Sequence, residues 1–284
     1  MIKNKKILVT GGAGFVGSAL VKRLKEQNRV SVLDNYFTGS KKNHLSGVRY
    51  FKAETKDIFN FFKNFKLDYI FHLGEYSRVE QSFDDFDKII KFNAIPIFEV
   101  LKLAKSKNAK LIYSGSSTKF AKKNKLYLES PYAWSKISNT NLINAYAKWY
   151  GLDYVITYFY NVYGPGEISE GKYSTVIAKF LKISKGSSNY LPVSRPGTQK
   201  RNFTHIDDII EGLILVAKKG KGDGYGIGSE KSYSIVDIVK ILGKKPKYYV
   251  SNKGNRMSAT VKSHLTKKLG WRAKISLEAY LKEN

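Results

Sequence analysis

Seven residues near the N-terminus, Gly11-Gly12-Ala13-Gly14-Phe15-Val16-Gly17, restrict the fold of this chain more than any other segment. They follow a short apolar run, residues 5–10 (KKILVT), that reads as a buried parallel strand. They lead into residues 15–27, where Val16, Leu20 and Leu24 recur at helical spacing. A glycine turn between strand and helix meets three needs: a tight reversal, close backbone approach to a pyrophosphate, and close packing of helix on strand. The helix start adds free N–H groups and the positive end of a dipole. Gly12, Gly14 and Gly17 satisfy G-x-G-x-x-G; Gly11, Gly14 and Gly17 satisfy G-x-x-G-x-x-G. Asp34 ends the next apolar run, where a carboxylate accepts ribose hydroxyls and repels a 2′-phosphate. The expected ligand is therefore NAD rather than NADP. Two alternatives stay open: Asp34 as a plain cap of the turn in DNYFTGS, and Arg29 or Lys41 as holders of a 2′-phosphate.

Further strand-like runs at 48–52, 69–72, 110–114 and 154–159 alternate with helical patterns at 58–65, 86–107 and 131–150. Pro131 suits a first helical turn and Gly151 a C-terminal exit. This alternation predicts an α/β chain with a Rossmann-type doubly wound parallel sheet. Beyond it come a loop-rich stretch at 164–172, a helix near 174–185, the strand-like RNFTHI, a helix at 207–218 and a short C-terminal unit. The expected division is a nucleotide-binding domain at 1–162, to which 197–224 returns, and a smaller α+β substrate-binding region from 163–196 and 225–284.

Composition excludes several other chemistries. The absence of cysteine removes disulfides, thiolate zinc sites and cysteine nucleophiles, and fits a reducing cytoplasm. His44, His72, His205 and His264 stand at no metal-ligand spacing, so no metal is expected. No run of about 18 apolar residues exists to span a membrane. The basic start is no signal peptide, because its apolar run is too short and enters the glycine turn. The formal net charge of +27 fits a nucleic-acid or membrane-surface binder, an attractor of anionic substrate, or lysines spread over solvated faces. Scattered Lys102, Lys105, Lys107 and Lys110, and only short clusters at 122–125 and 244–247, favour the last. Neither nucleic acid nor a membrane is expected as a partner.

The second long helix opens with Ser130-Pro131-Tyr132-Ala133-Trp134-Ser135-Lys136. Tyr132 and Lys136 are four apart and share a face. A neighbouring ammonium and a positive nicotinamide both favour a phenolate. Such a pair takes a proton from a hydroxyl while hydride leaves the same carbon. Alone, Y-x-x-x-K is common on helix surfaces. Ser114-Gly115-Ser116-Ser117-Thr118, after the fifth strand, offers a hydroxyl to the reacting oxygen, although Ser-rich strand ends are also ordinary loops.

Together these segments resemble the extended short-chain dehydrogenase/reductases, specifically the NAD-dependent epimerase/dehydratase family of sugar-nucleotide enzymes. The resemblance runs from VTGGAGFVGSAL and LDNYFTGS through DYIFHLGEYSRVEQS, SPYAWSK and YFYNVYGPGE. It continues in GTQKRNFTHIDDI, YGIGSEKSYSI and the closing LGW. LDNYFTG is most like the UDP-glucose and UDP-N-acetylglucosamine 4-epimerases. The resemblance implies cofactor contacts from Gly11, Gly14, Phe15, Val16, Gly17, Asp34, Asn35, Glu54, Thr55, Leu73, Gly74, Glu75 and Asn93. It implies Ser116 as the active-site hydroxyl, Tyr132 as the base, and Lys136 as its partner on the nicotinamide ribose. It places Ser117, Asn161, Arg201, Arg256 and Ser258 on the substrate, a nucleotide-diphosphate sugar, with Ser117 as the alternative active-site serine. It further implies a homodimer paired through the helices at 86–107 and 131–150.

Several positions depart from the family pattern. Dehydratases carry an acidic pair after the active-site hydroxyl, where this chain has Ser117 and Thr118, which argues against water elimination. Glu75 and Arg78 replace small or polar residues near the cofactor, and Pro96-Ile97 replaces Gly-Thr after Asn93. Thr260-Val261 replaces an Ala-Asp pair. Ser258 stands where a bulky Tyr restricts the sugar pocket in epimerases, which implies room for an enlarged sugar such as a 2-acetamido sugar. The expected activity is 4-epimerisation of a UDP-sugar through a transient 4-keto intermediate. A nucleotide-sugar oxidase, dehydratase or decarboxylase on the same scaffold is the first alternative. A non-catalytic NAD-binding protein is the second.

Overall fold

The structure is a computed structural model and describes residues 2–120, 129–250 and 261–284. In chain order the first strands are β1 (Lys6–Thr10), β2 (Arg29–Asp34), β3 (Arg49–Lys52), β4 (Tyr69–His72), β5 (Lys110–Ser116) and β6 (Tyr154–Phe159). Next come β7 (Val162–Tyr163), β8 (Tyr190–Ser194), β9 (Lys200–Asn202), β10 (Thr204–His205), β11 (Gly222–Ile227), β12 (Ser232–Ser234) and β13 (Lys245–Tyr249). Seven of them form one sheet in the order β11-β6-β5-β4-β1-β2-β3, with every pairing parallel. Strand order reverses at β1, which has β2 on one side and β4 on the other. Chains leave β1 and β4 in opposite directions there, and a crevice opens above their carboxyl ends.

Both sheet faces are covered, so the strands are apolar throughout rather than alternating. Ile7, Val9, Val32 and Val155 pack toward α1 (Phe15–Leu24) and, from later in the chain, Leu213 and Val216. Leu8, Leu33, Ile70 and Ile156 point the other way, toward α2 (Ile58–Phe62) and the helices that follow. Those are α3 (Phe86–Ile89), α4 (Pro96–Lys107) and α5 (Pro131–Tyr150). Residues 86–107 are not the single helix their spacing predicts. A π-helical turn, Ile90–Ala94, separates α3 from α4, with Ile95 N donating to Ile90 O at 3.0 Å. Pro96 has no N–H to give the carbonyl four residues back, and its ring crowds that carbonyl. The wider turn absorbs the conflict, and such turns often mark functional sites.

The rest of the chain comprises α6 (Val176–Ser184), α7 (Ile206–Lys219), α8 (Ile235–Ile241), α9 (His264–Lys268) and α10 (Leu277–Glu283). α7 lies against α1, and β11 extends the main sheet beside β6. A separate small core gathers Phe180, Leu191, Val193, Ile238 and Leu281 from α6, β8, α8 and α10. β8 pairs with β13, and β9 with β12. The described residues of this part, 225–250 and 261–284, are divided between the two cores. β11 runs on to Ile227, and Trp271 packs with Leu213 of α7, whereas Leu277 and Leu281 join the small core.

Asp208 of α7 secures this C-terminal return. Its buried carboxylate accepts from Lys274 N at 3.0 Å and Ile275 N at 2.9 Å, and its carbonyl accepts from Trp271 Nε1 at 2.9 Å. Asp208→Ala leaves two backbone donors without their charged acceptor. It should cost about 2 kcal/mol or more in urea unfolding, with the main sheet retained by circular dichroism.

Candidate active site

The carboxyl ends of β1, β2, β4, β5 and β6 border a cleft of about 530 Å³ that also reaches residues of the smaller region. Its floor is the glycine turn. Gly11 has φ +69°, and a Cβ there would come within 2.7 Å of Gly74 Cα. A Cβ on Gly17 would overlap the Gly11 carbonyl, and one on Gly12 would meet Val32 at 2.7 Å. Packing thus explains these three glycines. Gly14 caps α1 and meets only the Gly11 carbonyl, at 3.3 Å. The bare backbone it leaves at a helix N-terminus fits a pyrophosphate that must approach closely.

Asp34 ends β2 beside this turn. Its Oδ2 accepts from Ala13 N at 2.9 Å and its Oδ1 from Tyr36 N at 2.7 Å. Burial pushes the carboxyl up, against these two backbone bonds. Each oxygen has a second lone pair available to a ribose hydroxyl. Asn35, Thr55, Phe15, Val16, Leu73 and Gly74 line the same cleft. Glu54 and Asn93, expected at the cofactor, are not among the lining residues. The Glu54 carboxylate pairs with Lys91 Nζ at 2.6 Å. The buried Asn93 side chain accepts from Tyr76 N at 2.7 Å and donates to Tyr76 O at 3.1 Å and Ser135 Oγ at 3.0 Å. It fixes the segment after β4 against α5.

That segment carries the main departure from expectation. Glu75 lines the cleft, but its carboxylate is committed to protein groups: the side chain is only 2% exposed. One oxygen pairs with Lys136 Nζ and accepts from Tyr113 Oη at 2.9 Å. The other accepts from Asn139 Nδ2 at 2.9 Å and lies 3.3 Å from His72 Nε2. Burial pushes the carboxyl up, yet the Lys136 charge and His72 outweigh it and hold it at about 2. Thr10 Oγ1, 2.7 Å from His72 Nδ1, extends the network to β1.

Lys136 therefore reaches the cleft already held. It donates to Glu75 and, at 2.6 Å, to the Ser114 carbonyl at the end of β5. An ammonium has three donors, so one remains for a ribose hydroxyl. Tyr132 stands one turn earlier on α5, whose start is capped by Ser130 Oγ accepting from Ala133 N at 3.1 Å. Ser116 is the last residue of β5, and its Oγ accepts from Thr118 Oγ1 at 3.0 Å. Ser116, Ser117, Tyr132 and Lys136 all line the cleft with the glycine turn.

Asn161 and Arg201 line it from the β6–β7 junction and β9. Asn161 takes a left-handed φ of 32°, held by its Nδ2 donating to Asn202 O at 2.9 Å. Arg256 and Ser258 lie outside the described residues. Residues that the sequence reading did not place in the cleft include Phe37, Tyr76, Glu167 and the segment 174–177, while Arg78 lines it as its place near the cofactor implied. Tyr76 and Tyr173 both donate to Asp85 Oδ2, at 2.8 and 2.9 Å, which ties the 164–175 loop to the nucleotide-binding side. Among the described residues no cluster of His, Asp and Glu is arranged for a metal, and no helix is long and apolar enough to cross a membrane.

The sequence profile of the NAD dependent epimerase/dehydratase family matches residues 7–228, and the chain belongs to that family. NAD is accordingly its cofactor. The chain is 30% identical to UDP-glucuronic acid decarboxylase 6 of Arabidopsis thaliana, over 96% of this chain and 86% of that protein. It superposes on UDP-glucose 4-epimerase of Thermotoga maritima, solved with UDP-glucose, with a TM-score of 0.88, 27% identity and coverage of 98% and 96%. UDP-glucose 4-epimerase of Thermus thermophilus, solved with NAD, gives 0.84 and 25%, over 97% and 96%.

The buried pair makes a prediction independent of substrate. Glu75→Gln strands the Lys136 ammonium without its counter-ion, at a cost of roughly 3–5 kcal/mol in urea unfolding at pH 7. The folded carboxyl titrates lower than the unfolded one, so its contribution is whole above about pH 4.5 and is lost as pH falls toward 2. The stability gap between the unaltered protein and Glu75→Gln should narrow over that interval.

Proposed function

We propose that this protein interconverts the 4-epimers of a UDP-sugar by transient oxidation at C4. The observation that carries this reading is the meeting of Ser116, Tyr132 and Lys136 in one cleft with the glycine turn, next to Ser117 and Thr118 rather than an acidic pair. Tyr132 takes the proton of the sugar 4-hydroxyl, and Ser116 holds the same oxygen. Lys136 uses its remaining donor on the ribose beside the nicotinamide. Bound NAD would supply reversible hydride acceptance, with Gly11, Gly14 and the start of α1 the groups that would hold its pyrophosphate. Asp34 and Asn35 take the adenosine ribose. Arg201 and Asn161 hold the nucleotide diphosphate, so the keto sugar turns over without leaving. Tyr132 then returns the proton. With no carboxylate directly after Ser116, water elimination has no acid and base there.

A second reading keeps the oxidation and follows it with loss of CO2 from a 4-keto uronic acid; the similarity to UDP-glucuronic acid decarboxylase 6 favours it. Incubation with UDP-sugars and their 4-epimers, followed by NMR of the products, separates the two. Absence of 4-epimer from every sugar tried defeats the first reading, and release of CO2 supports the second. Tyr132→Phe should lower kcat at least about hundredfold, with NAD still retained after gel filtration. Activity surviving that change means another group is the base.

The smaller region holds the sugar nucleotide, and the protein acts in the cytoplasm as a homodimer. The dimer is supported by large apolar side chains exposed on the two expected helices: Phe98 is 60% exposed on α4 and Trp149 66% on α5. Phe98→Glu should shift sedimentation from dimer toward monomer and leave the circular dichroism spectrum unchanged.

A further inference from the structure

Arg78 follows β4 and lines the cleft on the side of the 164–175 loop. A guanidinium carries five N–H donors in a rigid planar fork. Nε and Nη2 both donate to the Tyr173 carbonyl, at 3.0 and 2.7 Å. Nη1 makes only long contacts, 3.3 Å each, to the Ser77 carbonyl and hydroxyl. The Nη1–Nη2 end of the group therefore keeps donors for an incoming acceptor. That end can grip both oxygens of a carboxylate.

No carboxylate among the described residues pairs with it. Glu167 lines the same cleft and acts on Arg78 only through space. A half-buried cation without a paired anion carries a desolvation cost, and a bound anion offsets it. The position in the cleft indicates which anion. Arg78 precedes the turn whose Ser82 Oγ accepts from Tyr132 N at 3.4 Å, and both Arg78 and Tyr132 line the cleft, so the guanidinium stands on the reacting side. Arg201 enters the cleft from β9, which pairs with β12. Glu167 lines the cleft beside Arg78, its Oε2 accepting from Gly164 N at 2.9 Å.

We propose that Arg78 receives a carboxylate carried by the sugar itself, making the substrate a nucleotide-diphosphate sugar acid. The proposal rests on the reading of this cleft as a sugar-nucleotide site. It accounts for an arginine where the family pattern has a small or polar residue.

Titration calorimetry on the NAD-loaded protein tests it with three probes: UDP, UDP-glucose and UDP-glucuronate. UDP-glucuronate should bind at least about tenfold more tightly than UDP-glucose, the effect of one charge-assisted bidentate pair. Arg78→Gln should abolish that preference and leave UDP within about twofold. If Arg78→Gln weakens UDP as much as UDP-glucuronate, Arg78 serves the diphosphate and the proposal falls. It falls too if the unaltered protein does not prefer the acid. Arg78→Gln also releases Tyr173, so Asp85→Asn, which loosens the same loop at its other anchor, is the control. Asp85→Asn should keep the preference; its loss there would assign the effect to the loop instead of the guanidinium. Calorimetry needs no turnover. A preference for the acid with no 4-epimer formed would defeat the epimerase reading and leave this one standing.

Discussion

The ends of β1 and β4 come so near each other that only backbone fits between them. Gly11 and Gly74 meet there, and the Gly17 backbone packs on the Gly11 carbonyl, so the glycine turn and the segment after β4, distant in sequence, close on one point. That closure is possible because strand order reverses at β1 and the chains diverge. Everything that borders the cleft is referred to this junction. α1 starts from it, Asp34 hydrogen-bonds to it through Ala13, and the Glu75 segment leaves from it. A side chain larger than hydrogen at Gly11 or Gly17 would separate the strands and move every one of these groups.

Two buried carboxylates carry that order outward. Glu75 joins β4 to α5 through Lys136 and to β5 through Tyr113, while His72 and Thr10 extend the link to β1. Lys136 is thereby oriented before any ligand arrives, at the cost of desolvating two charges. Asp85 joins the segments around Tyr76 and Tyr173 across the mouth of the cleft, so the smaller region is tied to the nucleotide side by hydrogen bonds as well as by chain connection. Preorganisation of this kind suits chemistry in which a proton and a hydride leave one carbon together, because misplacement of either acceptor slows both.

Much of the fold was legible because periodicity and punctuation agreed. Apolar runs ending at glycines located β1 and β4, and Pro131 with Gly151 bounded α5 at both ends. The 86–107 segment was misread because helical spacing continues through Pro96, and only the backbone clash at that residue produces the π turn. Asn93 shows the same limit. It was expected as a cofactor contact, and in the fold its amide serves Tyr76 and Ser135. Arg78 stood out as unusual in sequence, yet nothing there revealed that its donors divide between the Tyr173 carbonyl and the cleft.

The sequence by itself determined the strand–turn–helix start, the alternation that demands a parallel sheet, and the spacing that sets Tyr132 and Lys136 on one face of α5. Those are local properties: glycine spacing, apolar period and the four-residue repeat of a helix act within a few turns of chain. Tertiary structure alone decided that Glu75 neutralises Lys136, that Glu54 turns to Lys91, and that Trp271 returns to pack with α7. These depend on which distant segments the sheet order brings together. A buried charge takes whichever partner the fold places beside it.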